Sequence, residues 1–183
     1  MIDLIERKYN EVGQIRKILM ENKADIDFDF SLDDIYKKVI VLSSASLFEK
    51  KISNIIIRFA QERAPTDCRV ATFVENKAVK RQYHTYFQWD GNNTNSFWGL
   101  FGADALKRAK ESLNNNVDLK EAESDFLFIG KLRNTLVHND FLSNNCLSTM
   151  TLDDVYAKYS SARQFVEFIP KILDLSNEVG NNW

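Results

Sequence analysis

An all-α domain is the expectation, and three observations lead to it. Turn-makers are scarce: the 183 residues hold six Gly and two Pro, where average usage would put Gly near about 7% and Pro near about 5%. A β-sandwich or barrel needs a turn every ~8–12 residues, which this chain cannot supply. Apolar residues recur at helical spacing along most of the sequence. With 44% hydrophobic residues and no low-complexity stretch or linker, the chain reads as one domain over 1–183. The expected architecture is a bundle of five to six helices, with an N-terminal helix and connector in 1–30 and the core in 31–178.

The elements follow in order. Ile5, Val12, Ile15 and Leu19 place a helix over 2–22. Asp25-Ile26-Asp27-Phe28-Asp29-Phe30 breaks that period and reads as a connector. Ser31, with Asp34 three residues on, has the grammar of a helix start. The helix it opens continues through Phe48, Ile52, Ile56 and Phe59 until Pro65 stops it. Within it the small run Ser43-Ser44-Ala45-Ser46 admits either a close helix neighbour or a bend. A third helix is expected from Asp67 to Tyr83, with Val70, Phe73 and Val74 inward. Residues 84–103 form an aromatic-rich connector anchored to the core. Helices over 103–113 and from Asp118 to His138 come next. Thr151 opens the last, to about Asn177, interrupted or kinked at Pro170. Ser31-Leu32-Asp33-Asp34-Ile35-Tyr36 and Thr151-Leu152-Asp153-Asp154-Val155-Tyr156 share one helix-start grammar, their Asp pairs serving the helix dipole rather than a metal.

Composition narrows the function classes. Neither GxGxxG nor GxxxxGK[ST] is present, so no Gly-rich phosphate loop is expected. The whole chain holds two His and two Cys, and a structural zinc site, which takes about four such ligands, would need all of them, so neither a metal nor a cofactor is expected. Cys68 and Cys146 read as reduced thiols. A net charge of −2 argues against nucleic-acid binding by bulk charge, so any RNA site must be a local patch or a channel made by assembly. No run of about 18 apolar residues occurs, and Met1-Ile2-Asp3-Leu4-Ile5-Glu6 lacks the basic flank of a signal peptide. A cytoplasmic protein without a membrane span is expected.

The chemistry concentrates in residues 126–142. Phe126, Ile129, Leu132 and Leu136 make a buried helical stripe, and Arg133, Asn134 and His138 are set into it. Asn134 and His138 are one turn apart on one face, whereas Arg133 lies about 140° around the helix from His138. Histidine takes and returns protons near neutrality. The arginine fork binds phosphate and stabilises charge building on it. The asparagine can orient the imidazole or donate to a phosphate oxygen. This set suits metal-free RNA cleavage, but by residue type alone the commoner roles are structural, an Arg paired with a carboxylate and a His capping a helix end. Lys80, Arg81 and His84 sit among Tyr83, Tyr86, Phe87 and Trp89, a basic–aromatic alternation that can track a single strand or merely pack the bundle's edge.

Arg133-Asn134-Thr135-Leu136-Val137-His138 is an R-x4-H with a polar residue after the Arg and an aliphatic residue before the His, on the penultimate helix of a small all-α domain. It resembles the HEPN superfamily (higher eukaryotes and prokaryotes nucleotide-binding). Leu47-Phe48-Glu49, the Phe97-Trp98-Gly99-Leu100-Phe101-Gly102 stretch and the last helix are similar to its RiboL-PSP branch. The resemblance covers about 31–178. It implies a metal-independent endoribonuclease, a toxin or effector of a defence or toxin–antitoxin system, with Arg133, His138 and Asn134 catalytic and Glu49 auxiliary. It further implies a homodimer in which the two motifs face each other, RNA as substrate, and an antitoxin or sensor as partner. The alternative is a non-catalytic HEPN dimer acting as adaptor or nucleotide- or partner-binding module. One departure stands out: toxins of this superfamily silenced by a nucleotidyltransferase carry Tyr two residues after the His, where this chain has Asp140.

Overall fold

A computed structural model describes residues 3–22 and 26–176. Its elements are α1 (Leu4–Glu21), α2 (Ile26–Arg63), α3 (Cys68–Val74) with a π-helical turn at Glu75–Val79, α4 (Tyr83–Tyr86), α5 (Asn95–Gly99), α6 (Ala103–Asn114), α7 (Val117–His138) and α8 (Leu152–Ile172). No strand forms among the described residues. The helices beyond the expected six are the short α4 and α5, both inside the aromatic connector. The expected helix start at Ile2 and end at Asn177 lie outside the described residues.

The centre is built by α2, α7 and α8. Phe48 and Ile52 of α2, Phe126 and Ile129 of α7, and Tyr159, Phe165 and Ile169 of α8 are all buried. Phe126 sits between its neighbours, with ring centroids 5.8 Å from Phe48 and 5.0 Å from Phe165. Helix starts are held by side-chain caps: Asp3 accepts from Glu6 N for α1, Asn116 from Leu119 N for α7, and Thr151 forms a reciprocal capping box with Asp154 for α8. Asp3 is also the tie between α1 and α8, accepting from Tyr159 Oη at 2.8 Å and Arg163 Nη1 at 3.0 Å. Helix α8 runs through Pro170 without interruption.

Three local expectations are corrected. Helix α2 begins at Ile26, so the connector read over 25–30 is helical where it is described, and Ser31 lies inside the helix rather than at its cap. The two similar hexapeptides therefore do different work. Thr151 caps a helix end, whereas Asp33 and Asp34 hold Lys37 and Lys38 one turn along, at 3.0 and 2.6 Å. Those lysines are buried and reach the loop after α7: Lys37 donates to the carbonyls of Leu147 and Met150, Lys38 to that of Leu142. Pairing with Asp and a set of carbonyl acceptors offsets the cost of burying each ammonium. Second, the inward face of α3 is not Val70 and Phe73, which are 43% and 66% exposed; Ala71 and then Val79 are buried instead. A π-helical turn follows α3 at Glu75–Val79 and ends on the buried Val79. Third, the serine run does not break α2, which is continuous through it; buried Ser44 donates to the Ile40 carbonyl at 2.7 Å.

The connector from Tyr83 to Gly102 is a packed aromatic layer. Phe87, Phe97 and Trp98 are buried, and Phe87 stacks on Phe97 and meets Phe126 edge-on at 4.9 Å. Its polar anchor is Glu123 of α7, buried, which accepts from Thr94 N at 2.7 Å and Thr94 Oγ1 at 2.6 Å, while Trp98 Nε1 donates to the same hydroxyl. No helix of the described residues is long and apolar enough to cross a membrane.

Candidate active-site cleft

Burial of Phe126, Ile129, Leu132 and Leu136 fixes the rotation of α7, turning Arg133 and Asn134 toward α2 and the start of the aromatic connector. There they line a cleft of about 80 Å³. Glu49 enters it from α2, Arg81, Tyr83 and His84 from the connector, and the rings of Phe48, Trp89 and Phe126 form its apolar wall. Five of the seven residues singled out from sequence thus meet in one place: Glu49, Arg81, His84, Arg133 and Asn134.

Arg133 is half-buried, and its Nη1 donates to Asn134 Oδ1 at 3.1 Å. No carboxylate among the described residues pairs with it, so its charge is left for the cleft. Tyr83 lines the cleft with Glu49 and Arg133 and feels the charge of both. Burial pushes its phenol well above the usual range, the Glu49 carboxylate pushes the same way, and Arg133 opposes both. The hydroxyl therefore stays protonated and can serve as a neutral donor.

Two backbone features hold the connector side in place. Arg81 has φ +62°, in the left-handed region that a non-glycine residue rarely adopts, at a cost of about 1 kcal/mol. This residue turns the chain from the π-helical turn into α4. On the far side, Trp89 lies directly on Gly130. A methyl group at Gly130 would overlap Trp89 Cε3 and Cζ3. Trp89 is gripped by Tyr83, Phe87 and Phe126, with centroids 5.7, 5.0 and 5.7 Å away, and its Nε1 donates to the His84 carbonyl at 3.3 Å. The small glycine lets the connector approach α7 closely, and the indole then fixes the backbone of His84.

The other two predicted residues are placed outside the cleft. Lys80 is exposed and held by Asn76 Oδ1 at 2.7 Å and by Glu75 at 3.5 Å. His138 is the exposed last residue of α7, one turn beyond Asn134, and does not line the cleft. It does not cap its helix: that work falls to Asn139, whose Nδ2 donates to the Thr135 carbonyl at 2.7 Å. Within one chain, Arg133 and His138 are not brought together. Tyr83 and Trp89, which the sequence offered only as the aromatic setting of the basic residues, line the cleft too, and Gly130 was not singled out. Gly130 carried a signal, as an isolated glycine in an otherwise apolar helix.

An all-α bundle with this cleft against the penultimate helix, and an R-x4-H running out of it, is a HEPN-type domain. A family model described as RiboL-PSP-HEPN matches residues 5–175, and the chain belongs to that family. No curated protein and no solved structure matches it.

Proposed function

We propose that the chain is a metal-independent endoribonuclease. The observation that carries this reading is the state of its motif: Arg133 lines a cleft without a carboxylate partner, and His138 ends α7 exposed while Asn139 does the capping. Both structural roles open to them from the sequence, an ion pair and a helix cap, are filled otherwise or not at all.

His138 takes the proton of a ribose 2′-hydroxyl. The 2′-oxygen attacks the adjacent phosphorus, Arg133 neutralises the charge that builds on the phosphoryl oxygens, and the products are a 2′,3′-cyclic phosphate and a 5′-hydroxyl. Asn134 fixes the Arg133 fork through the bond already present between them. Because His138 stands outside the cleft of its own chain, the reacting pair forms across a homodimer. Val137 and Leu142, 52% and 73% exposed beside His138, and Ile35 and Val39, exposed on neighbouring α2, supply apolar surface for that dimer. A toxin or effector role in a cytoplasmic defence or toxin–antitoxin system, with an antitoxin or sensor as partner, fits such an activity.

Incubating the protein with RNA in EDTA tests the scheme. Cleavage should persist, and His138→Ala should slow it about 10²–10⁴-fold, with Arg133→Ala comparably damaging. Cleavage unaffected by His138→Ala, or dependent on added Mg²⁺, refutes it. The net charge of −2 favours a second reading, a non-catalytic HEPN dimer that binds a nucleotide or protein partner. That reading predicts a dimer in light scattering for both wild type and His138→Ala, and RNA left intact by both.

A further inference from the structure

Cleaving the P–O5′ bond needs two proton transfers, one from the 2′-hydroxyl and one to the departing 5′-oxygen. The R-x4-H supplies one histidine. The chain's only other histidine is His84, and it lines the same cleft as Arg133 and Asn134 although 49 residues separate it from Arg133. Its side chain is exposed and makes no hydrogen bond with the described residues, whereas its backbone is pinned by the Trp89 indole. A side chain that packed the bundle's edge would be buried or bonded; this one is held at its root and open at its ring. Arg81, three residues earlier, reaches the same cleft from a left-handed backbone, an observed departure from ordinary conformation of the kind that accumulates at functional sites. Two guanidinium groups, an imidazole and the neutral Tyr83 hydroxyl thus surround a space of about 80 Å³, with Glu49 the one carboxylate lining it. That space accommodates a phosphate group.

We propose that His84 is the general acid of the ribonuclease reaction, acting on a phosphate held between Arg81 and Arg133; this rests on the reading of the chain as a nuclease. As the 2′-oxygen bonds to phosphorus, its proton passes to His138. The P–O5′ bond breaks, and the proton of the His84 imidazolium passes to the 5′-oxygen, which leaves as a hydroxyl. His138 ends protonated and His84 neutral, and exchange with water resets both, so no proton is consumed overall. His84 works from within each chain and His138 across the dimer.

A substrate that needs no acid tests this. In RNA whose scissile 5′-bridging oxygen is replaced by sulfur, the leaving thiolate departs without protonation. His84→Gln should slow cleavage of ordinary RNA by about 10²-fold or more yet leave cleavage of the sulfur-linked RNA near the wild-type rate. It should also flatten the alkaline limb of the pH–rate profile, which reports the acid. His138→Ala should slow both substrates. Because His84 is exposed, the variant should melt with the wild type. If His84→Gln cleaves ordinary RNA normally, or slows both substrates alike, His84 is not the acid while the nuclease reading stands. If the wild type cleaves neither RNA, the nuclease reading itself falls and takes this role with it.

Discussion

Gly130→Ala isolates the contact that builds the cleft wall. In an open helix interior this change stabilises by about 0.5–1 kcal/mol, because alanine loses less backbone entropy. At Gly130 the new methyl group falls on the six-membered ring of Trp89. The indole cannot yield freely, since three aromatic rings and the His84 carbonyl hold it. Overpacking of this kind costs about 1–3 kcal/mol. The overlap forces a shift, and the balance is a net loss of about 1 kcal/mol, reaching about 2.5 kcal/mol if the rings around Trp89 resist it. For a chain of this length each kcal/mol moves Tm by about 2–4 °C, so thermal melts followed by far-ultraviolet circular dichroism should show Tm fall by a few degrees. In a Trp89→Ala background the same change should raise Tm, because the clash is gone and the helix gain remains. A higher Tm for Gly130→Ala alone would refute the close packing of the connector on α7. So would an unchanged sign in the Trp89→Ala background.

Other consequences are as direct. Thr151→Ala should cost about 1 kcal/mol through loss of the capping box, whereas Ser31→Ala, in an exposed helix interior, should leave urea stability nearly unchanged. Glu123→Ala removes the acceptor of Thr94 N and Oγ1 and should lower stability by about 1–3 kcal/mol, with a shift in tryptophan emission as Trp98 loosens. Burial, then the hydrogen bond to Asp3 and the charge of that carboxylate, raise the phenol of Tyr159, against the opposing effect of Arg163. The folded state therefore holds this proton more tightly than the unfolded state. The resulting stability is complete below about pH 10 and is lost as pH rises beyond it; Tyr159→Phe should make the alkaline fall in Tm shallower.

What the sequence disclosed is what local rules govern. The apolar period of 126–136 gave the orientation of α7, and with it the faces of Arg133, Asn134 and His138; Pro65 and Thr151 marked helix ends where the chain in fact stops and starts. The failures have one physical origin, that tertiary contacts overrule local grammar. Ser31 carries the same helix-start pattern as Thr151, but α2 propagates back past it to Ile26 and its Asp pair serves buried lysines instead. Phe73 carries an apolar side chain outward because Ala71, with Val74 half-buried one turn on, forms the face that packs on the bundle. The cleft was legible only in pieces. Glu49, Arg81, His84 and Arg133 stood out as residue types, yet nothing local says that segments 30 to 50 positions apart converge on Gly130. His84 in particular reads as edge packing until the Trp89–Gly130 contact shows which way its segment faces.

If this cleft and motif cut RNA without a metal, the chemistry of the product ends will show it. A defined RNA incubated with the protein in EDTA should yield fragments that mass spectrometry identifies as 2′,3′-cyclic phosphates and 5′-hydroxyls, with none from His138→Ala. Intact RNA, or fragments bearing 3′-hydroxyl and 5′-phosphate ends, would contradict it.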